Sequence, residues 1–79
     1  MASVFGRQFG LRVRELRERA GISQEALADR AGLHRTHISL IERAQRSVRI
    51  ETIEKLAHAL RIQPAEMMPP IRFRQKRGR

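Results

Sequence analysis

The residues best suited to chemistry in this chain lie between Gln24 and Arg43, in the run QEALADRAGLHRTHISLIER. On a helix beginning near Arg35, the side chains of Arg35, Thr36, Ser39 and Arg43 share one face while Ile38 and Ile41 point the opposite way. Arginine can bond O6 and N7 of guanine together, and threonine offers a hydroxyl to a base edge or a methyl to thymine. Arg35, Thr36, His37 and Ser39 are therefore the candidate base contacts. Gln24 opens the preceding helix, where the backbone favours anions, and is a candidate phosphate contact. Arg43, Arg46, Ser47 and Arg49 are further phosphate candidates, because backbone binding asks for charge and donors rather than tight geometry. Leu40 turns toward the same exposed side; it either covers a thymine methyl group or leans on the first helix.

Such a face has to be carried by a rigid frame. Ser23 is a natural N-cap for a helix from about Gln24 to Ala31, with Ile22 placed to staple onto Leu27, although Ala26 stands where a capping box would want Glu or Gln. Gly32 breaks that helix where a positive φ is needed, and a second helix follows from about Arg35 to Arg43, with His34 at a weak N-cap. Ala28 is small where two helices cross, and Leu27, Leu33, Ile38 and Ile41 supply an apolar underside. Two short helices joined by a glycine turn in this way are how a chain sets one helix into the DNA major groove.

Around this pair the apolar periodicity predicts the remaining elements. Phe9, Val13, Leu16 and Ala20 mark a first helix from about Gly6, closed by Gly21. Ala44 to Arg49 reads as a loop. Ile50, Ile53, Leu56, Ala57 and Leu60 form the apolar stripe of a fourth helix. Pro64 starts a short fifth helix to about Met68, which the Pro69-Pro70 pair terminates. The expected architecture is an all-α, compact five-helix bundle: residues 1–68 form the DNA-binding domain and residues 69–79 a basic tail without packed structure. The apolar cluster Ile62, Met67 and Met68 is the candidate dimer interface.

The chain has 79 residues and a formal charge of +9, distributed unevenly. Residues 1–68 hold twelve basic and eight acidic residues, while residues 69–79 hold five basic residues and no acid. A basic small domain implies a polyanionic partner, since each cation near a phosphate releases condensed counterions. With no cysteine, neither a disulfide framework nor a thiolate zinc site is available. His34 and His37 are three apart but have no third ligand at a supporting spacing, so no metal is expected. Neither a catalytic triad order nor a paired-carboxylate site is present, and neither enzymatic activity nor a cofactor is expected. No apolar run approaches the ~18 residues of a membrane span, and the N-terminus lacks a signal-peptide core, which predicts a cytoplasmic protein.

With these residues in view, the chain resembles the Cro/C1-type helix-turn-helix regulators, the XRE family, over about Phe9 to Met68. Its SQEALADRAGLHRTHISLIER segment is most similar to the controller proteins of restriction-modification systems. The resemblance implies a lambda-repressor-like fold, with Gln24, Arg35, Thr36 and Ser39 on DNA-contacting positions and Arg46 and Ser47 on the phosphate-binding loop. It also implies a partly buried ion pair between Arg17 and Glu42, and a homodimer on a palindromic operator. Glu25 and Asp29 match acidic positions that lambda-type repressors present to RNA polymerase; their other reading is as complements to the dipole of the second helix. Departures from the controller pattern are His37 for Tyr, Leu40 and Ala44 for Gly, and Arg49 for a Ser or Thr cap. The functional expectation is a sequence-specific transcriptional regulator on double-stranded DNA. The alternative is a helix-turn-helix protein-interaction module, such as an antitoxin-like partner.

Overall fold

The structure is a computed structural model that describes residues 3–71; the tail from residue 72 onward lies outside the described residues. The chain forms α1 (Val4–Arg19), α2 (Gln24–Ala31), α3 (Arg35–Glu42) and α4 (Ile50–Leu60), followed by a 3-10 turn (Pro64–Met67). Helix α1 starts earlier than the periodicity suggests. The hydroxyl of Ser3 accepts the Gly6 N–H at 3.0 Å, so Gly6 lies inside the first turn. Ser23 caps α2 in the same way, accepting the Ala26 N–H at 3.0 Å.

Left-handed residues close the four helices. Gly32, at φ +70°, lets the Leu33 N–H reach back to the Ala28 carbonyl at 2.8 Å, which turns the chain sharply from α2 into α3. Ala44 (φ 56°) and Arg61 (φ 58°) adopt the same conformation after α3 and α4, where a Cβ makes it more costly than for glycine.

The core gathers Phe9, Val13 and Leu16 from α1, Leu27, Ala28 and Ala31 from α2, Ile38 and Ile41 from α3, Leu56, Ala57 and Ala59 from α4, and Met67. Helix α2 packs on both α3 and α4, while α1 packs on α3 and on the 3-10 turn. The tightest contact is between α1 and the end of α3: a Cβ on Gly10 would stand 2.5 Å from the Ile41 carbonyl oxygen and 2.8 Å from that of Glu42. Only a residue without a side chain permits this approach.

Three expectations need correction. The fold has four α-helices rather than five, because Pro64 and the Pro69-Pro70 pair leave too few residues for an i→i−4 ladder. The segment closes as a 3-10 turn, with the Gln63 N–H donating to the Glu66 carboxylate at 3.0 Å. Ile50 does not join the apolar stripe of α4 but is 81% exposed. Side chains tilt toward the helix N-terminus, so the first residue projects past the end of the packed region, and the stripe is completed by Thr52 instead. Met67 is 0% exposed. It plugs the core between α1 and α4, held there as the Arg12 guanidinium donates to the Glu66 carbonyl at 2.8 Å, and so it cannot meet a partner subunit. Ile62 and Met68 remain half-buried. Among the described residues no helix is long and apolar enough to cross a membrane.

Candidate nucleic-acid interface

The α2–α3 pair is locked to α1 by one polar cluster. The Arg17 guanidinium donates to the Glu42 carboxylate from Nε at 2.7 Å and from Nη2 at 3.2 Å, and its Nη1 donates to the Ile22 carbonyl at 2.9 Å. Both side chains are nearly enclosed, with 12% of Arg17 and 3% of Glu42 exposed. The Glu42 hydrogen bond pushes Arg17 further toward its charged form, against the opposing effect of burial. The Gln24 amide also donates to Glu42, at 3.0 Å. Gln24 was expected to serve a phosphate, but one of its donors is committed within the protein, leaving the second N–H and the oxygen for an external partner. The three side chains together fix how α3 projects from the frame. A buried pair of this kind sets position more than it adds stability.

On the other side of α3, Arg35, Thr36 and Arg43 are exposed, and His37, Ser39 and Leu40 are half-buried. Arg43 folds back along the helix, its Nε donating to the Ser39 carbonyl at 3.4 Å. The loop after α3 exposes Arg46 and Ser47, and Arg49 is exposed at the N-cap of α4, where it makes no side-chain cap bond. Arg43, Arg46 and Ser47 rim a groove of about 880 Å³. Apart from Gln24 on α2, the expected base and phosphate contacts therefore follow one another from α3 through the loop to the N-cap of α4.

The ion pairs seen among the described residues lie on α1 or tie it to α3. On α1, Arg12 and Arg19 share the Glu15 carboxylate at 2.8 and 2.9 Å, and Arg14 bonds Glu18 at 3.1 Å. The Arg12 hydrogen bond, followed by the Arg19 charge, holds the Glu15 carboxyl below its ordinary range. Arg35, Arg43, Arg46 and Arg49 form no ion pair among the described residues. Four arginines without an ion pair among the described residues thus follow one another along α3 and its following loop.

His37 lies on α3. Burial lowers its imidazole below the ordinary 6.5, and Arg46, His34 and Lys55 act in the same direction. Lys55 was not anticipated, because its charge acts on His37 from a different element, which local sequence does not reveal. Gly10 was missed for a similar reason: its role depends on where α1 crosses α3, which local sequence does not carry. Glu25 and Asp29 are exposed and border a shallow groove together with His34 and Arg35. Glu25 stands in the first turn of α2 and fits the dipole reading. Asp29 does not, since it lies in the last turn, where a carboxylate opposes the dipole.

Comparison with known proteins agrees with this geometry. A helix-turn-helix domain family matches residues 8–68. Control protein C.BamHI of Bacillus amyloliquefaciens is 46% identical over 61 residues, covering 76% of this chain and 75% of that protein. The crystal structure of the restriction-modification controller protein C.AhdI from Aeromonas hydrophila superimposes with a TM-score of 0.78 at 48% identity, covering 78% of this chain and 94% of that one. Wild-type controller C.Esp1396I superimposes equally well, with a TM-score of 0.78 at 29% identity over 82% of this chain and 84% of its own. The chain belongs to the Cro/C1-type (XRE) helix-turn-helix family of transcriptional regulators, and within it is similar to the restriction-modification controller proteins.

Proposed function

We propose that this chain is a sequence-specific DNA-binding regulator that works as a homodimer on an inverted-repeat operator, with α3 in the major groove. The observation that carries this reading is the run of exposed arginines, Arg35, Arg43, Arg46 and Arg49, that leads from α3 through its loop and forms no ion pair among the described residues, so that their charge is free for phosphates and bases. Arg35, Thr36, His37 and Ser39 read base edges. Arg43, Arg46, Ser47 and Arg49 hold the flanking phosphates, with the remaining donor of Gln24 beside them, and the basic residues of the tail add sequence-independent affinity.

The dimer is formed through the surface around Ile62 and Met68, leaving both recognition helices on one side at a spacing of roughly 34 Å. Glu25 and Asp29 face away from the core beside the DNA-bound edge and are the candidate contact to RNA polymerase; the position of Asp29 in α2 favours this over a dipole role. The function is tested by selecting from a pool of random duplexes with the full chain. The expected product is an inverted repeat with half-sites one helical turn apart, bound with a stoichiometry of two chains. Recovery of no sequence preference, with binding to any duplex alike, would overturn the reading.

A further inference from the structure

The groove of about 880 Å³ beside the recognition surface is lined by the first turns of α1 on one hand and by the end of α3 and its loop on the other, and its walls are of two kinds. Phe5, Phe9, Val48 and Ile53 give it apolar surface. Phe5 is 37% exposed although it is a large aromatic side chain, and Val48 and Ile53 are only half-buried. Arg7, Arg43 and Arg46 bring three guanidinium groups to the same groove, with the Ser47 hydroxyl beside them. None of the described residues lining it is acidic. By contrast, the grooves beside Glu25 and Asp29 and beside Glu15 and Glu66 carry charges of both signs. The first turn of α1 holds no acidic residue either, so the positive end of its dipole adds to the same potential.

Apolar surface next to charge of one sign selects a molecule divided in the same way, with an anionic head and an apolar body. An inorganic anion would leave Phe5 and Val48 in water, and a neutral apolar molecule would desolvate the guanidinium groups without pairing them. The volume lies within the range of small-ligand sites, about 300–1,000 Å³. The tail of the chain has the wrong sign to fill the groove, since residues 72–79 hold five basic residues and no acid.

We propose that this groove binds a small amphipathic anion, a carboxylate carried on an apolar chain, and that the bound molecule releases the protein from DNA. The carboxylate pairs with the guanidinium groups through charge-assisted bonds, and the chain covers Phe5, Val48 and Ile53. Arg43 commits its Nε to the Ser39 carbonyl and keeps its Nη groups for the ligand. Release rests on the function proposed above, in which Arg43, Arg46 and Ser47 hold phosphates: the same donors cannot serve a ligand carboxylate and a DNA phosphate at once. Met68 also lines the groove and is part of the proposed dimer surface, so the oligomeric state has to be read in the same experiment.

The test titrates sodium decanoate, sodium acetate and decyltrimethylammonium into the full chain at fixed pH and ionic strength, with NMR following the side chains of Phe5, Val48 and Ile53. Decanoate should bind at least about tenfold more tightly than acetate, because each buried methylene adds up to about fourfold. Decyltrimethylammonium, with the same chain and the opposite charge, should leave these side chains unmoved. Decanoate at ten times its Kd should then weaken binding to the selected duplex by about tenfold per protomer, as direct competition requires. Sedimentation should show the same oligomeric state with and without it. Phe5→Ser should bind the duplex as the wild type does, yet need at least about threefold more decanoate for release. Decanoate shifts confined to other surfaces, equal shifts with decyltrimethylammonium, or undiminished duplex binding with the groove saturated would each overturn the inference. So would release that occurs only through dissociation into monomers. Should Phe5→Ser fail to fold, mapping and competition in the wild type decide. Decanoate in the groove of a chain without sequence preference would support the site but refute the proposed function, and release with it. A specific duplex bound by a chain that ignores decanoate would refute this inference alone.

Discussion

Replacing Gly10 by alanine sets two effects of known sign against each other. A methyl group improves helix propensity by about 0.8–1 kcal/mol at a helix interior. It would also stand 2.5 Å from the Ile41 carbonyl oxygen and 2.8 Å from the Glu42 carbonyl oxygen, where ordinary carbon–oxygen contacts begin at about 3.3 Å. Both obstacles are backbone, and the end of α3 is tied to α1 by the Arg17–Glu42 pair, so neither can rotate away. Helix α1 must instead withdraw from α3 by roughly 0.5–1 Å, which loosens Phe9 and Val13 in a close-packed core. Overpacking of this severity costs about 2–4 kcal/mol, leaving a net loss of about 1–3 kcal/mol. For a domain of this length each kcal/mol lowers Tm by about 4–8 °C, so Gly10→Ala should melt roughly 5–20 °C below the wild type. Circular dichroism on heating, with urea titration beside it, is the assay. Gly21→Ala is the control: its methyl meets nothing within 4 Å, so only the strain of its positive φ, about 1 kcal/mol, should appear. A Gly10→Ala protein as stable as the wild type would refute the close-approach argument.

Glu42→Ala should cost about 3–5 kcal/mol, because Arg17 is left charged and enclosed without its partner; a urea midpoint near that of the wild type would show that the pair does not organise the α1–α3 junction. Met67→Lys should unfold the chain, whereas Met68→Lys should fold normally and sediment as a monomer; the reverse pattern would contradict the assignment of Met67 to the core and Met68 to the dimer surface. For the free protein, the lowered proton affinity of His37 means that the unfolded state binds more protons as pH drops through 6.5. Stability should therefore fall between pH 7.5 and 5.5, and His37→Gln should lose less of it over the same interval.

The α2–α3 pair was legible because its signals are local: a serine cap, a glycine turn and two apolar offsets determine it within twenty residues. The Arg17–Glu42 pair was accessible only through resemblance, since its members are distant in sequence, and the same distance concealed the attachment of Gln24 to Glu42. Ile50 matched the α4 stripe by spacing, yet periodicity does not say where packed neighbours end. Met67 and Met68 look alike in sequence; the tight 3-10 turn sends one into the core and leaves the other half-buried at its edge. Gly10 carries no local signal, because the need for a missing side chain arises from another helix. Likewise, the charges acting on His37 belong to a helix, a loop and a second helix, which no single segment announces.

The central claim is a division of labour on one surface, with α3 reading sequence and the loop holding the backbone. It is tested most directly by measuring the affinity of the wild type, Arg35→Ala and Arg46→Ala for the selected duplex, its single-base variants and an unrelated duplex across a range of salt. Arg35→Ala should lose about 1–3 kcal/mol of discrimination at one position of each half-site. Arg46→Ala should weaken all duplexes alike and reduce the salt slope by about one. Equal loss of discrimination in the two variants, or full discrimination retained by Arg35→Ala, would contradict the account.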